Sequence, residues 1–374
     1  MGADKNILNT DNLLRLLDSH GIVDHKTVLS EINRAVKSVI RQHEPKQVIL
    51  PEDAVPLLKA YPDINLDSLP IWIKDNIEDA VVVGNAKQTV IVHDGRRYQL
   101  NNPLNHLSGG EWVYFTNSVL NTRYLTTGED SCAHHIRKIH PTPKPPQLMR
   151  DIIEFFTKEN EVVLDYFMGV GGSLLGASMC GRRAIGMDLR YEYIKAYKEA
   201  SAFLNLSEQP AIVGDSLEIL KDSDKMSSLL GEEPISLILI DPPYGNMMSK
   251  VKTGADIDVY GSVSTPFTNL DCDLGNMDRD KFFNSLKSSV ESAMQYLKIK
   301  GHIVVFIKDL QPHKKDVNLL HSDIINLLNG INNIQYKGLR VWADQTTKLF
   351  PYGYPFSFVA NQIHQYILIF RKEK

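Results

Sequence analysis

Apolar and polar positions change rhythm along this chain. Leu13-Leu14 and Leu16-Leu17, then Val28, Leu29, Ile32, Val36, Val39 and Ile40, recur at helical spacing, with Asp24 and Thr27 as caps near the second helix. Pro45, Pro51, Pro56, Pro62 and Pro70 break that pattern. Residues 80–100 then alternate: Val81-Val82-Val83, Thr89-Val90-Ile91-Val92, an Asp94-Gly95 hairpin turn, and Tyr98 and Leu100 beyond it. Residues 1–104 therefore read as an accessory region, helical and then a short β-hairpin. Its helices are expected to pack or to bind a partner, with a DNA-binding helical unit as the alternative.

From residue 105 the pattern changes again. Trp112-Val113-Tyr114-Phe115 is a short aromatic run, and His140-Pro141-Thr142-Pro143-Lys144-Pro145-Pro146 is excluded from a helix by its prolines. Gln147 to Lys158 reads as an amphipathic helix. Short apolar runs follow, each ending in an acid: Val162–Leu164 at Asp165, Ala184–Met187 at Asp188, Ala211–Gly214 at Asp215 and Ile235–Ile240 at Asp241. Helical stretches such as Tyr191–Leu204 and Asp280–Leu297 separate strands, and two further runs lie at Ile303–Ile307 and Tyr366–Phe370. Continuous apolar strands alternating with helices predict an α/β fold, a doubly wound and mostly parallel sheet covered on both faces. Ligands in such sheets bind beyond the carboxyl ends of the strands, where these acids fall.

Composition bounds this picture without redirecting it. The 374 residues are 43% hydrophobic and 23% charged, enough for one large domain, 105–374, beside the smaller region. No apolar stretch reaches the ~20 residues of a membrane span, and the first residues lack the apolar core of a signal peptide. Cys132, Cys180 and Cys272 are too scattered for a disulfide framework or a metal site, which suits a reducing cytoplasm. The net charge of −4 argues only weakly against a nucleic-acid partner, because such a partner meets one face. His134-His135-Ile136-Arg137-Lys138-Ile139-His140 is a local basic stretch, read either as a solvated loop or as part of that face.

Two loops carry candidate chemistry. After Asp165 come Tyr166, Phe167, Gly169, Gly171, Gly172 and Ser173, and then a helix-like stretch. Glycines at a strand-to-helix turn let a ligand approach the backbone, and the helix N-terminus offers free N–H groups. The spacing fails the dinucleotide fingerprint, since Leu174 stands where its last glycine belongs, and no Gly-Lys-Ser ending follows. A ligand without phosphates, whose charged end is an amino acid, suits this loop: S-adenosylmethionine. Asp188 is placed to accept from two ribose hydroxyls and Asp215 from an adenine amino group.

The second loop is Asp241-Pro242-Pro243-Tyr244. An exocyclic amino nitrogen is a poor nucleophile, because its lone pair is delocalised into the ring. The Asp241 carboxylate and the Pro242 carbonyl could accept from its two N–H bonds. Pro242 and Pro243 fix the turn and remove competing donors. Tyr244 offers a face for stacking a base. A sulfonium methyl group is already activated, so positioning is the main task and no metal is needed. Such an atom is unreachable inside a duplex, so the base must be flipped out.

At these residues the chain resembles the amino-methylating DNA methyltransferases, which make N6-methyladenine or N4-methylcytosine. The resemblance covers roughly residues 105–374 and implies the Rossmann-like class I methyltransferase fold. His140-Pro141-Thr142-Pro143-Lys144-Pro145 is similar to the segment that in this family lines the pocket around the methionine end of S-adenosylmethionine, so Thr142, Lys144 and Pro145 are implied cofactor residues. Asp165, Phe167, Gly169 and Gly171 match the cofactor motif, Asp241 to Tyr244 the catalytic motif, and His364 to Lys372 the last strand. Tyr166 stands where the family usually has proline, and Gly172 where threonine is common. The cofactor half precedes the catalytic half, whereas the His-Pro-Thr-Pro-Lys-Pro wording resembles the subgroup with the halves reversed. The target-recognition segment is therefore sought at 246–279, with Lys250, Lys252 and Tyr260, at 311–360, with His313, Lys314, Lys315, Arg340, Trp342 and Lys348, or in the N-terminal region.

The resemblance implies site-specific methylation of double-stranded DNA, with a second copy or a restriction or defence-system protein as further partner. Asp241 favours adenine over cytosine. Gly245 after the tetrapeptide also fits RNA methyltransferases acting on guanine N2. A catalytically silent DNA-binding subunit and a nicotinamide-dependent oxidoreductase are the remaining rivals, opposed by the intact motifs and the failed dinucleotide spacing respectively.

Overall fold

The computed structural model describes residues 49–248, 268–313, 316–347 and 349–374. The helices expected before residue 41, and Lys250, Lys252, Tyr260, Lys314, Lys315 and Lys348, lie outside the described residues, as does the side chain of His313. The described chain forms two units, one of residues 49–64 and 76–96, the other of 65–75 and 97–374.

In the smaller unit, β1 (Val55–Pro56), β2 (Val81–Val83) and β3 (Thr89–Ile91) pair antiparallel, with Val82 opposite both Val55 and Val90. Val82 and Val90 are fully buried. The turn after β3 forms at Asp94-Gly95, where Gly95 N–H donates to the Val92 carbonyl and Asp94 accepts from Arg96 N–H.

The larger unit is built on eight strands: β4 (Val119–Thr122), β5 (Val162–Asp165), β6 (Arg183–Asp188), β7 (Ala211–Val213), β8 (Ile235–Ile240), β9 (Leu297–Ile307), β10 (Ile334–Asp344) and β11 (His364–Lys372). Their order across the sheet is β4-β10-β11-β9-β8-β5-β6-β7. Every neighbouring pair is parallel except the two made by β11. All six residues of β8 are buried, as a parallel strand covered on both faces requires.

Alternation along the strands divides the core. Leu164, Ile238 and Ile240 face a cluster with Phe282, Leu286 and Val290 of α7 (Arg279–Ala293) and with α8 (Leu320–Asn329). Val163, Leu237 and Leu239 face the other cluster. That second cluster is closed by α1 (Gly109–Phe115), α3 (Pro146–Phe156), α4 (Gly172–Met179) and α5 (Tyr191–Phe203), with the short α2 (His134–Arg137) beside α5. Pro146 opens α3, where its missing N–H costs nothing. The helix stops at Phe156, short of the expected Lys158, because Thr157 is extended and its hydroxyl bonds the Ile153 carbonyl.

The sequence reading had no strand at 334–344, and β10 corrects one of its expectations. Arg340 and Trp342 are both 4% exposed. Arg340 lies 4.2 Å over the Phe115 ring and donates to the Asn117 carbonyl, while Trp342 Nε1 bonds Thr122 Oγ1 at 2.7 Å. These two residues are fastened into the sheet and do not reach a nucleic acid. Arg137 of the basic stretch is likewise internal, at 1% exposure.

Candidate active site

Strand order reverses around β5, which has β6 on one side and β8 on the other, so the ends of β5 and β8 flank the crevice where such sheets bind ligands. Asp165 is opposite Leu239, which places Asp241 just past the end of the neighbouring strand. The glycine loop and the Asp-Pro-Pro-Tyr loop thus open into one crevice, although they are far apart along the chain.

The glycine loop is drawn tight. Gly171 has φ +71°, and a Cβ there would stand 2.3 Å from the Tyr197 ring. A Cβ on Gly172 would stand 2.6 Å from the Lys144 carbonyl oxygen. The departure from threonine at this position has its reason in that contact, because the proline-rich segment crosses directly over the start of α4. Arg137 holds the segment there: its guanidinium donates to the Lys144, Cys132 and Val170 carbonyls. Burial lowers its pKa to about 10. At the segment's start, His140 Nδ1 accepts from Thr142 N–H, and its ring meets Tyr193 edge-on at 5.0 Å. Burial, then Lys144, Arg137 and Arg190, push its pKa down to about 3, which keeps it neutral. Thr142 is exposed and Pro145 caps α3.

Three carboxylates close this side. Asp165 accepts from Phe167 N–H and the Ser173 hydroxyl, and burial raises its pKa to about 7. Asp188 accepts from Gly169 and Arg190 N–H, both at 2.9 Å, and burial raises it to about 6. Each Asp188 oxygen accepts one backbone bond and keeps a lone pair for a ligand hydroxyl. Asp215 caps the following helix, α6 (Ser216–Lys221), through Leu217 N–H. Tyr166 turns into the core, 1% exposed, with its hydroxyl 3.2 Å from Ser289 Oγ.

On the other side, Asp241 Oδ2 lies 2.6 Å from Lys144 Nζ, which also sits 5.3 Å above the Phe306 ring. Pro242 is buried and Pro243 partly so. Tyr244 is 9% exposed, and its hydroxyl is hydrogen-bonded to the Lys308 backbone. Burial, with Asp241 nearby, raises its pKa. Beyond it is a cavity of about 410 Å³ lined by Lys308, Gln311, Phe350, Tyr352, Asn361 and Gln362 among others.

Sequence reasoning missed four of these groups. Arg137 had been counted as surface charge. Lys308 follows the apolar run of β9, donates to the Gln362 carbonyl, and has its pKa lowered by burial and by Lys144. Asp273, 2% exposed, accepts from Thr268 and Gly275, and its charge acts on Asp188. Asn361 clamps both backbone groups of Phe350 with its amide. Only Lys308, at a strand end next to an acid, had a readable signal.

A family profile described as DNA methylase matches residues 34–199, which include the proline-rich segment and the glycine loop. Through this region the chain is similar to the amino-methylating DNA methyltransferases. Among its relatives, the type II methyltransferase M1.MboII of Moraxella bovis is 31% identical over 126 residues, 34% of this chain and 44% of that one. The type II methyltransferase M2.DpnII of Streptococcus pneumoniae is 46% identical over 56 residues, 15% of this chain and 21% of that one. A tRNA (guanine(10)-N2)-dimethyltransferase of Methanocaldococcus jannaschii is 28% identical over 145 residues, 37% of this chain and 40% of that one. The match therefore spans less than half the length of each of these relatives.

The cofactor of the family is S-adenosylmethionine. The residues present fit it: a helix N-terminus and a lysine for an amino-acid carboxylate, a buried carboxylate with lone pairs for hydroxyls, and a glycine cradle without the residues that hold phosphates.

Proposed function

We propose that this chain methylates the exocyclic amino nitrogen of a flipped base in double-stranded DNA, N6 of adenine, at a specific site. The observation that carries this reading is the adjacency of the β5 and β8 ends, with Asp165 opposite Leu239. It lets a donor held by the glycine loop and a base held by Asp241 share one crevice. In this reading Asp165, Phe167, Gly169, Gly171, Gly172 and Ser173 form the donor's cradle. Thr142, Lys144 and Pro145 line its methionine end, Asp188 takes the ribose hydroxyls and Asp215 the adenine amino group. The donor supplies an activated methyl group. Asp241 and the Pro242 carbonyl accept from the target's N–H bonds and draw the nitrogen toward tetrahedral geometry. Pro243 keeps the turn rigid, and Tyr244 serves as a stacking face once its ring is uncovered.

The target side has a surface suited to unpaired bases. Tyr354, Phe356 and Phe358 are 81%, 93% and 93% exposed on the loop that borders the cavity. Aromatic rings presented beside a cationic group stack bases of any sequence. We assign 246–279 and this part of 311–360 to DNA contact, and 1–104 to an accessory role. A second copy or a restriction-system protein is the further partner this reading accommodates.

A second reading, methylation of guanine N2 in RNA, is favoured by Gly245 after the tetrapeptide and by the tRNA-acting relative. Transfer of labelled methyl to duplex DNA and, separately, to total RNA separates the two after digestion to nucleosides. N6-methyladenine from DNA supports the proposal, and N4-methylcytosine corrects the base. Label in RNA guanine overturns the polymer.

A further inference from the structure

The Lys144–Asp241 pair sets two assignments against each other. The Lys144 ammonium lies 2.6 Å from Asp241 Oδ2, with the two side chains 10% and 23% exposed. An ammonium held this closely takes one lone pair of that oxygen and offsets the carboxylate charge that an amino N–H would meet. Asp241 as it stands is therefore engaged with Lys144 and is a weaker acceptor for a base.

Lys144 is fixed at its backbone and movable at its tip. Its carbonyl is held by Arg137 and lies over Gly172 at the start of α4. Its stem crosses from there to Asp241, passing the Phe306 ring. The same four-carbon chain can turn back toward the helix N-terminus, where an anion is favoured. A mostly buried ammonium cannot simply be left unpaired, since removing one partner of such a pair is costly. It can leave Asp241 only for another anion.

We propose that Lys144 is a positioning residue that exchanges Asp241 for the carboxylate of the methyl donor, so that donor binding frees Asp241 for the target amino group. This rests on the methyltransferase reading above. It makes the order of binding a property of one side chain: without donor, the Lys144 ammonium offsets the charge with which Asp241 would meet the substrate's N–H groups. With donor, Asp241 is exposed as an acceptor and the target base is taken up.

The test is calorimetric titration of two probes into the wild type, Asp241→Asn and Lys144→Met. S-adenosylhomocysteine carries the amino-acid end but no sulfonium, so the Asp241 charge does not act on it as on the donor. 5′-Methylthioadenosine lacks the amino-acid end. Exchange predicts that Asp241→Asn binds S-adenosylhomocysteine roughly threefold to tenfold more tightly, because no ion pair need be broken. Lys144→Met binds it about tenfold more weakly, and 5′-methylthioadenosine binds all three proteins alike. A lysine that merely braces the fold would leave no such opposite pair of shifts. Unchanged or weakened S-adenosylhomocysteine binding in Asp241→Asn, with the wild type binding normally, overturns the exchange and leaves the enzyme reading standing. Failure of the wild type to bind either probe overturns both.

Discussion

Between Asp165 and Asp215 the crevice is made of backbone and buried carboxylates, whereas between Asp241 and Gln362 it is made of side chains. On the first side, Gly171 and Gly172 touch neighbours that leave no room for a Cβ, and Asp165 and Asp188 are tied to backbone N–H groups. On the second, a lysine occupies the key carboxylate, a tyrosine is covered, and aromatic rings stand in solvent. A ligand common to every reaction cycle can be met by a rigid, preformed cradle. A polymer that must be opened and read needs groups that rearrange. The contrast predicts that damage to the two sides separates into loss of donor binding and loss of turnover.

The sharpest way to break the contrast is Asp241→Ala. It should lower methyl transfer roughly a thousandfold or more, the scale of removing one aligned polar group at a reacting centre, while donor binding persists. Transfer kinetics beside equilibrium donor titration measure both, and full activity in the variant would remove Asp241 from its role. The converse is Gly171→Ala. At φ +71° and against the Tyr197 ring, it should cost about 2–4 kcal/mol of stability and strip donor binding. Thermal unfolding with and without S-adenosylhomocysteine reads this out. A variant that unfolds and binds like the wild type would show that the loop is looser than its contacts.

The sequence was legible where chemistry and burial coincide. Runs such as Ile235–Ile240 announce strands because both faces are covered, and the acids that end them mark the crevice. β10 was not legible, because its apolar residues are interrupted by Lys337, Gly338 and Arg340. Its arginine is internal through a stacked ring and a carbonyl, neither of which is written in local spacing. Arg137 hid for the same reason: a His-His-Ile-Arg-Lys string looks like surface, and only the fold shows which cation turns inward. The Lys144–Asp241 contact joins residues 97 positions apart, beyond any local pattern.

A smaller effect tests the outer edge of the target side. Phe356 and Phe358 pack against little in the protein, so replacing both by alanine should change stability by no more than about 0.5 kcal/mol. If they stack on bases, the affinity for a duplex carrying an unpaired target should fall by about 1–3 kcal/mol per ring. Donor binding should not move. Anisotropy with fluorescent duplexes measures the first and calorimetry the second. Unaltered DNA affinity would remove this loop from the recognition surface and leave 246–279 as the segment to examine.

The smallest effect concerns protons on the cofactor side. Burial raises Asp188 from 3.8 to about 6. The folded protein therefore holds a proton there that the unfolded chain has released, across the window from pH about 4 to about 6. Stability contributed by this group is greatest below that window and declines as pH rises through it, by up to ~1.4 kcal/mol per pH unit for one proton. Asp188→Asn cannot titrate, so it should flatten that part of the curve. The hydrogen bond it loses lowers stability equally at every pH and leaves the slope difference intact. His140, held neutral, acts with opposite sign below pH about 6.5, in wild type and variant alike. Subtracting one unfolding curve from the other between pH 4 and pH 7 gives the contribution of Asp188 together with the part of the Asp165 shift that the Asp188 charge causes. Parallel curves would mean that its carboxylate is better solvated than its burial implies, and that the cofactor side is less closed than the target side by this measure.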